Sequence, residues 1–87
     1  MENALILFAL TKRGLGDLLA VARQSRTLIW VNHGIVDASE LERLRADGID
    51  LTHFTRWIDP FDREAVLVAV TTIREHHPDG AIFVESI

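Results

Sequence analysis

Residues 4–10 read ALILFAL, seven apolar positions in a row with no charge among them. A strand with one wet face alternates apolar and polar residues, because successive side chains point to opposite faces of the sheet. A run that is apolar at every position suits a strand buried on both faces, the condition of a central strand in a parallel sheet. ALILFAL therefore reads as a first, interior strand, and the rest of the chain is read outward from it.

The next residues, TKRGLGD at 11–17, lead into a helical pattern in which Leu15, Leu18, Leu19 and Ala22 fall at i, i+3, i+4 and i+7. That spacing gathers them on one helix face. TLIWVNH at 27–33 is rich in β-branched and aromatic residues and predicts a second strand. A second helix starts at Asp37, where Glu40 three residues on completes the Asp form of a capping box. Leu41 and Leu44 face inward, and Gly48 suits the left-handed position that ends the helix. Residues 49–58, IDLTHFTRWI, predict a third strand, with His53 and Thr55 on one face and Thr52 and Arg56 on the other. Polar residues on both faces place it at a sheet edge. A long helix is expected from about Pro60 to His77, with Val66, Ala69, Val70 and Ile73 as its core stripe. Pro78, Asp79 and Gly80 turn the chain into a fourth strand at 81–86.

The order is β-α-β-α-β-α-β. Helices between strands require parallel pairing with right-handed crossovers. The expected fold is one three-layer α/β domain over residues 1–87, with a four-stranded parallel sheet in the order 3-2-1-4. An order of 2-1-3-4 would bury the polar third strand. A ferredoxin-like βαββαβ fold would need a hairpin where 37–47 reads as helix. In either parallel order the chain reverses direction across the sheet at the end of strand 1, and open α/β sheets bind ligands at such switch points.

Composition narrows the chemistry. The chain has 87 residues, no cysteine and 48% apolar content, enough for a core and against disorder. A chain this short buries only about 60–65% of its unfolded surface, so its stability margin is thin. Lack of cysteine excludes disulfides, thiolate catalysis and cysteine-ligated zinc or iron–sulfur sites. MENALILFAL carries Glu2 where a secretory signal needs a basic residue, and no run reaches the ~20 apolar residues of a membrane span. A cytoplasmic protein is expected, with no membrane partner. The net charge of −4 disfavours nucleic acid as a partner. Charge is uneven: residues 1–36 hold four basic and two acidic groups, residues 37–87 five basic and eleven acidic.

The candidate site is the loop after strand 1. Thr11, Lys12, Arg13, Gly14 and Gly16, with Asp17 behind them, resemble an anion-binding turn in composition: glycines let backbone approach an anion and a helix start offers unpaired N–H groups. The two glycines do not complete a dinucleotide fingerprint or a Walker loop. Toprim and receiver domains carry acidic residues directly after strand 1, and here that place holds Thr11, Lys12 and Arg13. Asn32 and His33 at the end of strand 2, and Asp59 at the end of strand 3, are candidate auxiliary groups. Asp59 in HFTRWIDPFD (53–62) has a structural job as well, capping the helix that opens at Pro60. His33, Asp37 and Asp59 are metal-ligand types, but polar residues gather at strand ends in any α/β fold, so no metal and no cofactor is expected. His76 and His77 complement the negative end of the last helix. Ser25, Ser39 and Ser86 lack a nucleophile elbow. With no catalytic constellation, the expectation is a binding or regulatory module, homodimeric through spare apolar surface and edge strands, with Leu67 and Val68 off the core stripe. The alternative is a small enzyme or sensor for a phosphorylated or nucleotide ligand at Thr11 to Asp17.

Overall fold

The computed structural model describes residues 5–22 and 27–86. Glu2, Arg23, Ser25 and Arg26 of the sequence reading lie outside the described residues. Four parallel strands, β1 (Leu5–Ala9), β2 (Thr27–Val31), β3 (Asp50–His53) and β4 (Ala81–Val84), form one sheet in the order β3-β2-β1-β4. Helices α1 (Lys12–Ala22), α2 (Ala38–Ala46) and α3 (Arg63–His76) connect them. This is the expected three-layer α/β domain, with the described part of the first run, Leu5 to Leu10, inside and the polar third strand at an edge; Ala4 of that run lies outside the described residues.

The register divides the core in two. Leu7, Ala9, Ile29, Val31 and Leu51 face α1 and α2, where Leu15 and Leu44 are buried and Leu18, Leu19 and Leu41 pack at the margin. Ile6, Phe8, Leu10 and Trp30 face α3, which contributes buried Ala69 and Ile73 and half-buried Val66 and Val70. All three predicted helix faces are the ones that pack. Asp37 caps α2, its Oδ1 accepting from the Glu40 N–H at 2.8 Å. Gly48 takes φ +88°, the left-handed conformation that stops the helix.

The second and fourth strands stop two residues early, at Val31 and Val84, and three further boundaries differ from the sequence reading. The third strand ends at His53 rather than near 58. Beyond it Phe54 tilts its ring against Phe8 and Trp30, with centroids 5.4 and 5.2 Å away, and the chain crosses the top of the sheet. Second, α3 starts at Arg63, capped by Asp62, which accepts from the N–H groups of Glu64 and Ala65. Asp59 caps a preceding turn instead, accepting from the Phe61 N–H at 2.9 Å. Third, α1 starts at Lys12, so Lys12 to Gly16 form the first turns of the helix and not a loop before it.

Candidate functional site

The C-terminal ends of β1 and β4 meet at the predicted switch point. Strand β1 delivers Leu10 and Thr11 there, and α1 begins at once. The Glu85 side chain, just past β4, reaches across to this junction. Its Oε1 accepts from the N–H of Leu10 at 2.7 Å and of Thr11 at 2.8 Å, and its Oε2 accepts from the Thr11 hydroxyl at 2.5 Å. Thr11 Oγ1 in turn accepts from the Gly14 N–H at 3.1 Å. These are donors that a helix start leaves unpaired, and they attract negative charge. Gly14 is buried because the carboxylate lies over its Cα, where any Cβ would overlap it.

Thr11 and Gly14 are thus brought together around an anion, and that anion is the chain's own carboxylate. Lys12 and Arg13 are exposed on the first turn, and Gly16 has open space above it.

Asn32 is 1% exposed. Its Nδ2 donates to the carbonyls of Leu10 at 3.1 Å and Ile58 at 2.7 Å, while its Oδ1 accepts from the N–H groups of His33 at 2.8 Å and Ile58 at 2.9 Å. An amide side chain has two donors and two acceptor lone pairs, and all four are used. Exchanging its oxygen and nitrogen would set donor against donor, so the network also fixes its orientation. Asn32 joins the end of β1 to the crossing segment and has nothing left for a ligand. His33 is exposed, its Nδ1 3.3 Å from the Phe54 carbonyl, and Asp59 is exposed in its turn. Among the described residues no three His, Cys, Asp or Glu side chains gather closely enough to hold a metal ion. His76 hydrogen-bonds the Thr72 carbonyl at 2.9 Å, and the rings of His76 and His77 lie 5.3 and 6.0 Å from that of Trp30.

The two edges of the sheet differ. At the β3 edge, Phe54 N–H donates inward to the Val31 carbonyl, so by alternation Leu51 and His53 direct their backbone groups outward. The outward Leu51 carbonyl is covered by Arg45, whose Nε and Nη2 donate to it at 3.2 and 2.9 Å. Asp50 and His53 add polar side chains, and charges on an edge strand oppose further pairing.

At the β4 edge, Glu85 N–H donates inward to the Phe8 carbonyl at 2.9 Å. Ile82 and Val84 therefore point N–H and C=O outward. No charge stands within β4, whose sequence is AIFV. Phe83, on the α1 side, is 58% exposed, and Val84, on the α3 side, is 39% exposed. Beside Val84 lies a cleft of ≈ 330 Å³ lined by Leu10, Pro60, Arg63, Val66, Leu67 and Glu85 as well. Leu67 is exposed there, as its place off the core stripe predicted, and so is Val68. The sequence reading names this chain-terminal strand, together with the third, as an edge that invites pairing, without separating the two. The separating signal was a strand apolar throughout at the end of the sheet order, a position without neighbours on both sides.

No protein-family model, curated protein or solved structure matches this chain. Among the described residues no helix is long and apolar enough to cross a membrane.

Proposed function

We propose that the protein is a small cytoplasmic binding module that acts by strand addition, docking a protein partner along the outer edge of β4 and self-associating there as a homodimer. The observation that carries this reading is the contrast between the two edges. Arg45, Asp50 and His53 close the β3 edge, while the β4 edge offers outward backbone groups that no described residue pairs, between apolar side chains. An added strand gains affinity from main-chain hydrogen bonds and selectivity from the pockets that flank them. Here Phe83 flanks the edge on one face, and Val84 with its cleft on the other. The test is selection of extended peptides from a display library against the folded domain. Selected peptides should shift the Ile82 and Val84 amide resonances and lose binding to Val84→Pro. Proline at this position removes one of the outward N–H groups without touching the ladder to β1, and edge strands tolerate it. Peptides that bind Val84→Pro undiminished would refute docking at this edge.

A second reading, an enzyme or sensor for a phosphorylated or nucleotide ligand at Thr11 to Asp17, is favoured by one observation: the start of α1 already holds a carboxylate. An external anion has to displace Glu85 first. Phosphate titration should therefore move the Gly14, Gly16 and Asp17 amides in Glu85→Gln more than in the wild type. Flat titrations in both would sink this reading.

A further inference from the structure

The partner that best fits the β4 edge is a second copy of the same edge. We infer that two chains pair antiparallel through β4, with Phe83 facing Phe83 of the second copy across the two-fold axis, in a continuous eight-stranded sheet ordered 3-2-1-4-4-1-2-3. This inference rests on the strand-addition reading and names its partner.

A two-fold axis perpendicular to the sheet allows two central registers, because directly opposed residues must share a face. With Ile82 on the axis, Ala81 lies opposite Phe83 and Val84 opposite Gly80. That register leaves Val84 against a residue with no side chain. With Phe83 on the axis, Ile82 lies opposite Val84 on both sides of it. The backbone groups of Ile82 and Val84 that point outward then bond each other, and each copy's Val84 is covered by Ile82 of the other. Ala81 lies opposite Glu85, whose carboxylate is turned away to the start of α1.

The two Phe83 rings form a non-hydrogen-bonded pair, the closer of the two kinds, with Cα atoms about 4.5 Å apart. Aromatic pairs in that position stabilise antiparallel strands. Coverage of Val84 and the aromatic pair select the Phe83 register. The β3 edge cannot copy it, because Arg45 occupies the Leu51 carbonyl.

Light scattering on the full chain across micromolar to millimolar concentration tests the pairing. The expected mass at high concentration is twice 9.8 kDa. Phe83→Lys should weaken association by about 10-fold or more, because two ammonium groups then replace the aromatic pair at the axis. Phe83→Glu should behave alike. Phe83 is more than half exposed, so both variants stay folded, which circular dichroism checks. Mixing Phe83→Lys with Phe83→Glu should restore the dimer, since Lys then meets Glu across the axis.

A dimer lost in Val84→Pro but not restored by mixing would overturn the register and leave strand addition standing. A monomer throughout would overturn self-pairing, and peptide selection then decides the docking reading alone.

Discussion

The Glu85 carboxylate takes two backbone N–H groups and a hydroxyl where α1 begins, and Gly14 is the residue that makes room for it. The two residues should therefore be coupled. Alanine at an ordinary helical glycine stabilises by about 0.5–1 kcal/mol. Gly14→Ala in the wild type cannot realise that gain without expelling Glu85 from its donors. In a Glu85→Ala background the obstruction is gone and the same substitution should stabilise. Urea melts of the four variants close the cycle, and equal effects of Gly14→Ala in both backgrounds would mean that the contact does not hold in solution. The place of this junction was legible in TKRGLGD, because glycines and a helix start announce themselves locally. Its occupant was not, because Glu85 lies 74 positions from Thr11 and periodicity reports only on near neighbours.

Elements behaved as their local chemistry required wherever cap and stripe agreed. The segment 37–48 is such a case: Asp37 at its start, Leu44 inside, Gly48 at its stop. The third strand misled because THFTRWI keeps an extended, mixed composition after the pairing has ended. What ends it is Phe54 turning into the core beside Phe8 and Trp30, a tertiary event. The cap of α2 carries a prediction about acid.

The Glu40 N–H holds the Asp37 carboxyl below its ordinary value of 3.8, with help from the Ser39 hydroxyl and Lys12. A folded-state pKa lowered in this way adds stability that is full above the unfolded value and is lost as pH falls through the folded one. Asp37→Asn keeps an acceptor at the cap but cannot titrate. Thermal melts from pH 6 down to pH 2 should therefore show the wild type's advantage over Asp37→Asn present above pH 3.8 and fading below it. A difference constant over that range would exclude the carboxylate as its source.

At the scale of the molecule, strand order was legible because polarity alone separates a central strand from an edge. ALILFAL had to lie inside and IDLTH outside, which the order 3-2-1-4 satisfies and 2-1-3-4 does not. The tie across the top of the sheet was not legible, because Asn32 reads as a polar residue at a strand end whether it binds a ligand or its own chain. The crossing segment carries the chain from the β3 edge to the start of α3, and Asn32 pins it at Ile58 through both the N–H and the C=O. Among the described residues, α3 is the one helix over the face that holds Ile6, Phe8 and Trp30. Loosening its approach thus weakens one entire layer. Asn32→Ala strands the buried Ile58 N–H and two buried carbonyls. Each such group costs about 1–3 kcal/mol, so a loss of about 3–5 kcal/mol is expected, against a total near 4–13 kcal/mol for a chain of this length. The melting temperature should fall by more than about 12 °C, and the Ile58 amide should lose its protection from hydrogen exchange before the amides of β1 do. A melting point within a few degrees of the wild type would mean that the crossing segment is held by Phe54 and Ile58 packing alone, and that Asn32 is free for another role.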